Sequence, residues 1–177
     1  MSKKLLRKDR IKNARAGRQL AIQIKRVQIM EDFMIDNIDP VECPVNHQFT
    51  DNKNTELNTY CREFFVPAGT ILTGTIYKIE CFWFLVKGRM RLVEGDHTRE
   101  IEAPCILKNV VGIKNSGYAH EDCLFYGVIP NPKNTRDLHE IVNIFSALPA
   151  EQIQGMGGNK QELNYQKRLL GAQNAIV

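Results

Sequence analysis

The chain has 177 residues, a mass of 20.3 kDa and a formal net charge of +4, with 43% hydrophobic and 25% charged residues. This is an ordinary globular composition, long enough to bury one core without a disulfide or metal staple. No run of about 18 apolar residues is present, which excludes a membrane-spanning helix, and Arg7-Lys8-Asp9-Arg10 directly after Leu5-Leu6 predicts no secretory leader.

The charge is split along the chain. Residues 1–26 carry Lys3, Lys4, Arg7, Lys8, Arg10, Lys12, Arg15, Arg18, Lys25 and Arg26 against the single acid Asp9, a net +9, and the remainder carries −5. Such an asymmetry predicts an arm that meets something acidic: nucleic acid, a membrane surface or an acidic protein neighbour. The plain alternative is a solvated helix that aids solubility. No aromatic residue occurs in 1–26, so any nucleic acid would be held through its phosphates rather than by base stacking.

Residues 3–36 lack proline, contain one glycine and predict one long helix, stopped at Asp36-Asn37-Ile38-Asp39-Pro40. At 100° per residue its second half shows two apolar stripes. Leu20, Ile24, Val27 and Met34 form one, interrupted by Glu31, and Ile22, Ile29 and Phe33 form the other on nearly the opposite side. A helix resting on one core needs a single apolar face. Two stripes predict burial against the chain's own domain and against a partner, unless other segments of the chain cover both. With the basic side chains from Lys3 to Arg18, Ile22, Ile29 and Phe33 are the candidate partner-binding residues.

Residues 41–59 are polar, with Pro44 and Asp51-Asn52-Lys53-Asn54, and read as a linker. From Tyr60 to Ile129 short apolar runs alternate with turns. The expected strands are Tyr60–Val66, Ile71–Ile76, Cys81–Val86, Met90–Val93, Glu100–Glu102, Cys105–Val110 and Leu124–Ile129, with a tight hairpin at Val93-Glu94-Gly95-Asp96. Strands of about 5 residues at this spacing predict a sandwich or barrel. Thr135–Leu148 then reads as a helix with Thr135 as N-cap, Leu138, Ile141, Val142 and Phe145 as its apolar face, and Pro149 as its end. Gly155-Met156-Gly157-Gly158 reads as a joint before a short polar helix, Lys160–Leu170.

The β region carries Tyr60-Cys61-Arg62-Glu63, Val66-Pro67-Ala68-Gly69-Thr70, Gly74-Thr75-Ile76-Tyr77-Lys78-Ile79-Glu80-Cys81, Phe84-Leu85-Val86-Lys87-Gly88, Ala103-Pro104 and Tyr118-Ala119-His120-Glu121-Asp122. In this order the segments resemble the small cupin-like proteins encoded by tailed bacteriophages, over residues 60–130. The resemblance implies a cupin-like β-barrel or jelly roll. It also shows departures. Where metal-binding cupins place histidines, this chain has Tyr77 and Cys81 backed by Phe82, Trp83 and Phe84, the late strand ends Gly127-Val128-Ile129, and Glu80 alone remains of a first-motif ligand set. One carboxylate does not hold a metal.

No other constellation meets the needs of catalysis. His47, His97, His120 and His139 fall on a linker, a hairpin, a loop and a helix, without the spacing of a zinc site. His120-Glu121-Asp122 could be an acid–base cluster or a polar loop. Cys81 and Cys105 read as buried small hydrophobes rather than nucleophiles, and Trp83 as core or interface. The five cysteines, 43, 61, 81, 105 and 123, form no C-x-x-C pair and are expected to be reduced thiols.

The expected architecture is therefore mainly β: a basic helical arm (1–40), a linker (41–59), a cupin-like barrel (60–130) and a helical extension and tail (131–177). The expected function is that of a non-enzymatic bacteriophage virion protein, made in the host cytoplasm, whose barrel is a scaffold and whose arms dock on neighbouring subunits. No cofactor, metal or catalytic residue is expected. The expected partners are other virion proteins or further copies of the chain, with nucleic acid phosphates as a possible contact and no membrane. Two alternatives stay open: a cupin enzyme or small-ligand binder using the barrel interior, and a nucleic-acid-binding protein using the arm.

Overall fold

The structure, a computed structural model, describes residues 3–53, 56–95 and 97–147, with side chains at position 14 and from 16 onward. The helix α1 spans Lys3–Asn37 and the strands run β1 Val45–Phe49, β2 Thr59–Val66, β3 Ile71–Ile76, β4 Phe82–Lys87, β5 Arg89–Glu94, β6 His97–Glu102, β7 Cys105–Lys108, β8 Lys114–Ala119 and β9 Cys123–Pro130, followed by α2, Leu138–Phe145. Every strand pairing is antiparallel.

One sheet has the order β1-β2-β9-β4-β7 and the other β3-β8-β5-β6. Setting β1 aside, eight strands are divided between two four-stranded sheets as two Greek keys, with β5 and β6 a hairpin within one sheet, which is the jelly-roll arrangement of cupins. The mainly-β, cupin-like jelly roll with flanking helices is thus the fold of this chain. Its core lies between the sheets, where Tyr60, Val66, Leu85, Met90, Ala119, Cys123 and Ile129 are fully or almost fully buried.

Four local readings are corrected. Residues 45–49 are not linker: Val45, His47 and Phe49 alternate inward and pair with Phe64, Arg62 and Tyr60 as an edge strand. Their period of two was outweighed in the sequence by Pro44 and the polar run after it. Strand β8 was not expected at all, because its buried residues include Lys114 and Ser116 rather than an apolar alternation. Helix α2 starts later than Thr135. Asp137 caps it, its carboxylate accepting from His139 N at 2.8 Å, while the Thr135 hydroxyl accepts from Asp137 N in the turn before. The fourth is Cys105, which is half-buried at the start of β7 rather than a core residue. The hairpin joining β5 to β6 does turn at Gly95, whose φ of 62° suits glycine. The expected Gly155–Gly158 joint and Lys160–Leu170 helix lie outside the described residues.

Candidate functional site: helix α1 and the barrel interior

Helix α1 is attached to the barrel along one side. Gln23, Val27, Met34 and Ile35 are buried there, and Leu20 sits half-buried over Gly112. The attachment is specific as well as apolar. Lys114 on β8 is 1% exposed, and its Nζ lies 2.8 Å from Glu31 Oε2, the acid that interrupts the inner stripe. Glu31 also accepts from the Thr73 hydroxyl at 2.9 Å, and the Gln23 amide donates to the Lys114 carbonyl. A buried charge left alone is costly, so this pair fixes where along the helix the barrel sits and which face it meets.

The opposite face is left outward. Ile22, Ile29 and Phe33 are 41, 59 and 60% exposed, a large apolar presentation for one helix face. Arg18 is exposed on the helix beyond the barrel contact. The backbone carrying Lys3, Lys4, Arg7, Lys8, Arg10, Lys12 and Arg15 continues the same helix, and their side chains lie outside the described residues.

Between the sheets, next to the α1 contact, lies a cavity of about 430 Å³. Its origin can be read from the strand registers. Arg62, Gly127, Trp83 and Leu107 form one inward row across the first sheet, and Leu72, Gly117 and Leu92 form a row across the second. Both glycines are where side chains would otherwise fill the interior. A Cβ on Gly127 would stand 2.7 Å from the Trp83 ring, so the indole occupies the space that glycine leaves. Trp83 is accordingly a core residue, edge-on to Phe125.

The cavity wall is mostly apolar, with a few polar groups from several strands. Arg62 is its one cation, beside the carboxylates Glu31, Asp39 and Glu94; it is 7% exposed, with its guanidinium 4.9 Å above the Phe64 ring. Burial lowers its pKa, and the nearby Tyr60, Tyr77 and Cys43 oppose that shift. Burial raises the Tyr60 and Tyr77 hydroxyls well above their ordinary range, against the pull of Arg62. Asn109 donates to the Cys81 thiol at 3.5 Å, and burial outweighs that bond to leave the thiol raised. Next to Arg62 the interior therefore holds hydroxyl and thiol groups kept protonated.

This donor set does not suit a divalent ion: a guanidinium faces the space, and the tyrosines and the thiol near it are held protonated. Glu80, the one carboxylate of the first motif, points away and pairs with Lys108 at 2.8 Å on the surface. Among the described residues no three His, Cys, Asp or Glu side chains converge as a metal set.

The histidines go to separate places. His47 belongs to β1 and not to a linker; its Nδ1 is hydrogen-bonded to the Tyr60 hydroxyl at 2.8 Å. His97 begins β6 and is exposed, and His139 lies in the first turn of α2. His120, Glu121 and Asp122 do not form one cluster. His120 Nε2 donates to Glu100 at 2.9 Å, Glu121 pairs with Arg89 at 3.5 Å, and Asp122 accepts from the Ala68 N–H. Arg91 foremost, and His120 less strongly, hold the Glu100 carboxyl below its ordinary value.

Sequence reasoning missed Arg62 and Lys114. Arg62 had a signal, since Tyr60, Arg62, Phe64 and Val66 share one face of a strand and the other three are apolar. Lys114 had none: only the tertiary structure brings Glu31 to it.

No family model matches the chain, and no curated protein matches it in sequence. Among solved structures, the chain is similar to a cupin superfamily protein from Desulfitobacterium hafniense at 9% identity and a TM-score of 0.39, over 55% of this chain and 86% of that one. A cupin 2 conserved barrel domain protein from Salinispora arenicola is 17% identical with a TM-score of 0.39, over 52% and 86%. An HTH_3 family transcriptional regulator from Vibrio cholerae is 11% identical with a TM-score of 0.41, over 51% of each chain.

Proposed function

We propose that the chain is a non-enzymatic structural component of a bacteriophage virion, made in the host cytoplasm and built into the particle through its arms. The barrel is the rigid body, and α1 is the docking element for neighbouring subunits. The observation that carries this reading is the two-sided helix. Glu31–Lys114 and the inner stripe clamp α1 to the barrel, so Ile22, Ile29 and Phe33 are held outward rather than free to fold back. The net +9 of residues 1–26 suits an acidic protein surface or packaged DNA as a further contact. The resemblance in residues 60–130 is what directs the reading to a virion. Mass spectrometry of purified particles from a phage encoding this chain is expected to find it at constant stoichiometry, and the I29D/F33D variant is expected to be depleted from them. Particles that lack the wild-type chain would overturn the reading.

The cavity favours a second reading, a small-ligand binder. A pocket of about 430 Å³ with apolar walls and aromatic rings has the size for a small flat organic ligand, and Arg62 is the lining cation that would meet a carboxylate on it, with Glu31, Asp39 and Glu94 elsewhere in the lining. Benzoate serves as the probe. Saturable thermal stabilisation of wild type, absent in Arg62→Met, supports binding; no shift up to saturating probe counts against it.

A further inference from the structure

From position 15 onward, charge along α1 and the residues that follow it is polarised. Positions 15–26 carry Arg15, Arg18, Lys25 and Arg26 and no acid, whereas positions 31–42 carry Glu31, Asp32, Asp36, Asp39 and Glu42 and no base. Glu31 is consumed by Lys114 on the barrel side. At 100° per residue, Arg18, Lys25, Asp32 and Asp36 lie within about 80° of the centre of the exposed Ile22–Ile29–Phe33 stripe, all on the same flank of it. The outer face is therefore an apolar strip edged by bases at its start and acids at its end.

Of the two ways of laying a second α1 along that strip, one satisfies its edge. A second α1 laid parallel sets base on base and acid on acid. Laid antiparallel, with Ile22 of one copy opposite Phe33 of the other, it sets Arg18 beside the second copy's Asp36 and Lys25 beside its Asp32. Because a two-fold axis perpendicular to the helices keeps each flank on its own side, these charges meet across the same edge. The one like-charge approach is Arg26 to its own copy near the axis, where both long side chains have solvent to swing into. Each barrel is on the far side of its own helix, about 150° from the strip.

We infer that the outer face of α1 binds α1 of a second copy of this chain, antiparallel, about a two-fold axis near Val27 and Gln28. This rests on the reading of α1 as a docking element and names its occupant.

The test is sedimentation velocity on the full chain at low and high salt. Wild type is expected at twice the 20.3 kDa chain mass, and I29D/F33D at the single mass with the barrel's circular dichroism intact. Arg18→Asp and Asp36→Arg are each expected to weaken the dimer about tenfold, each acting twice across the two-fold axis. The double variant R18D/D36R is expected to recover it, and that recovery cannot come from misfolding. A monomeric wild type, with the strip covered by residues 148–177 or awaiting a different protein, overturns the inference. So does a dimer indifferent to I29D/F33D, or a double variant no better than the single ones. Particle incorporation is decided separately: a monomer found in particles removes the antiparallel pair and leaves the docking reading standing.

Discussion

Three residues show how single positions hold the site together. Lys114 is almost fully buried and its neutralising partner comes from another element. Glu31→Ala strands that ammonium and is expected to cost about 3–5 kcal/mol, whereas the joint replacement Glu31→Leu with Lys114→Met is expected to be near neutral. Urea denaturation of the two variants checks both. Gly88 has a φ of 90°, and a Cβ there would lie 2.3 Å from the Asp122 carbonyl oxygen. Backbone cannot give way as a side-chain tip can, so Gly88→Ala is expected to destabilise by more than about 2 kcal/mol. The third is Tyr77, which with Tyr60 and Cys81 is held protonated by burial. In the unfolded chain such groups ionise near about 8.5 for cysteine and 10 for tyrosine. Above those values the unfolded state binds fewer protons than the folded one, so stability falls as pH rises. It is expected to be fully present at neutral pH and to decline through the alkaline range, with a shallower decline in Tyr77→Phe.

Among elements, the two faces of α1 separate structure from association. Val27 is 6% exposed on the inner face, and Val27→Asp buries a carboxylate without a partner, an expected loss of more than about 3 kcal/mol. Ile29→Asp on the outer face changes an exposed residue and, compared at a concentration low enough that both chains are monomeric, is expected to stay within about 0.5 kcal/mol of wild type. Thermal or urea unfolding of the pair measures the difference. If both destabilise equally, the outer strip is covered within the chain. This asymmetry was half legible in the sequence. Helical projection separates the two stripes because the period of the helix is a property of the backbone. It does not say which stripe meets the barrel, since both are apolar. The Glu31 that seemed to spoil the inner stripe is the residue that selects it. The strands were legible where one face is apolar, as in β2 to β4, and illegible in β8, whose buried positions Lys114, Ser116, Gly117 and Ala119 show no apolar alternation. Polar groups buried by virtue of a distant partner leave no local pattern.

For the whole molecule, the jelly-roll connectivity joins parts far apart in the chain. β2 pairs with β9 along its full length, and β3 with β8. Loop closure must precede those contacts, so refolding is expected in milliseconds to seconds rather than microseconds. Stopped-flow fluorescence of Trp83, the single tryptophan, reads it directly. The same connectivity sets the two sheets face to face over Arg62, Gly127 and Gly117, so the cavity belongs to the pairing of rows and to no segment alone. What the amino-acid sequence determined by itself is whatever depends on near neighbours: the long basic helix and its two stripes, the succession of short strands and glycine turns, and the charge polarity that an antiparallel partner would match. Those follow from backbone period and residue type. Only the tertiary structure decided which helix face is clamped and which is offered, that a lysine is buried against Glu31, and that an arginine faces the space between the sheets. Each of these depends on two residues that the chain separates by tens of positions, and their meeting is fixed by strand register rather than by anything written beside them.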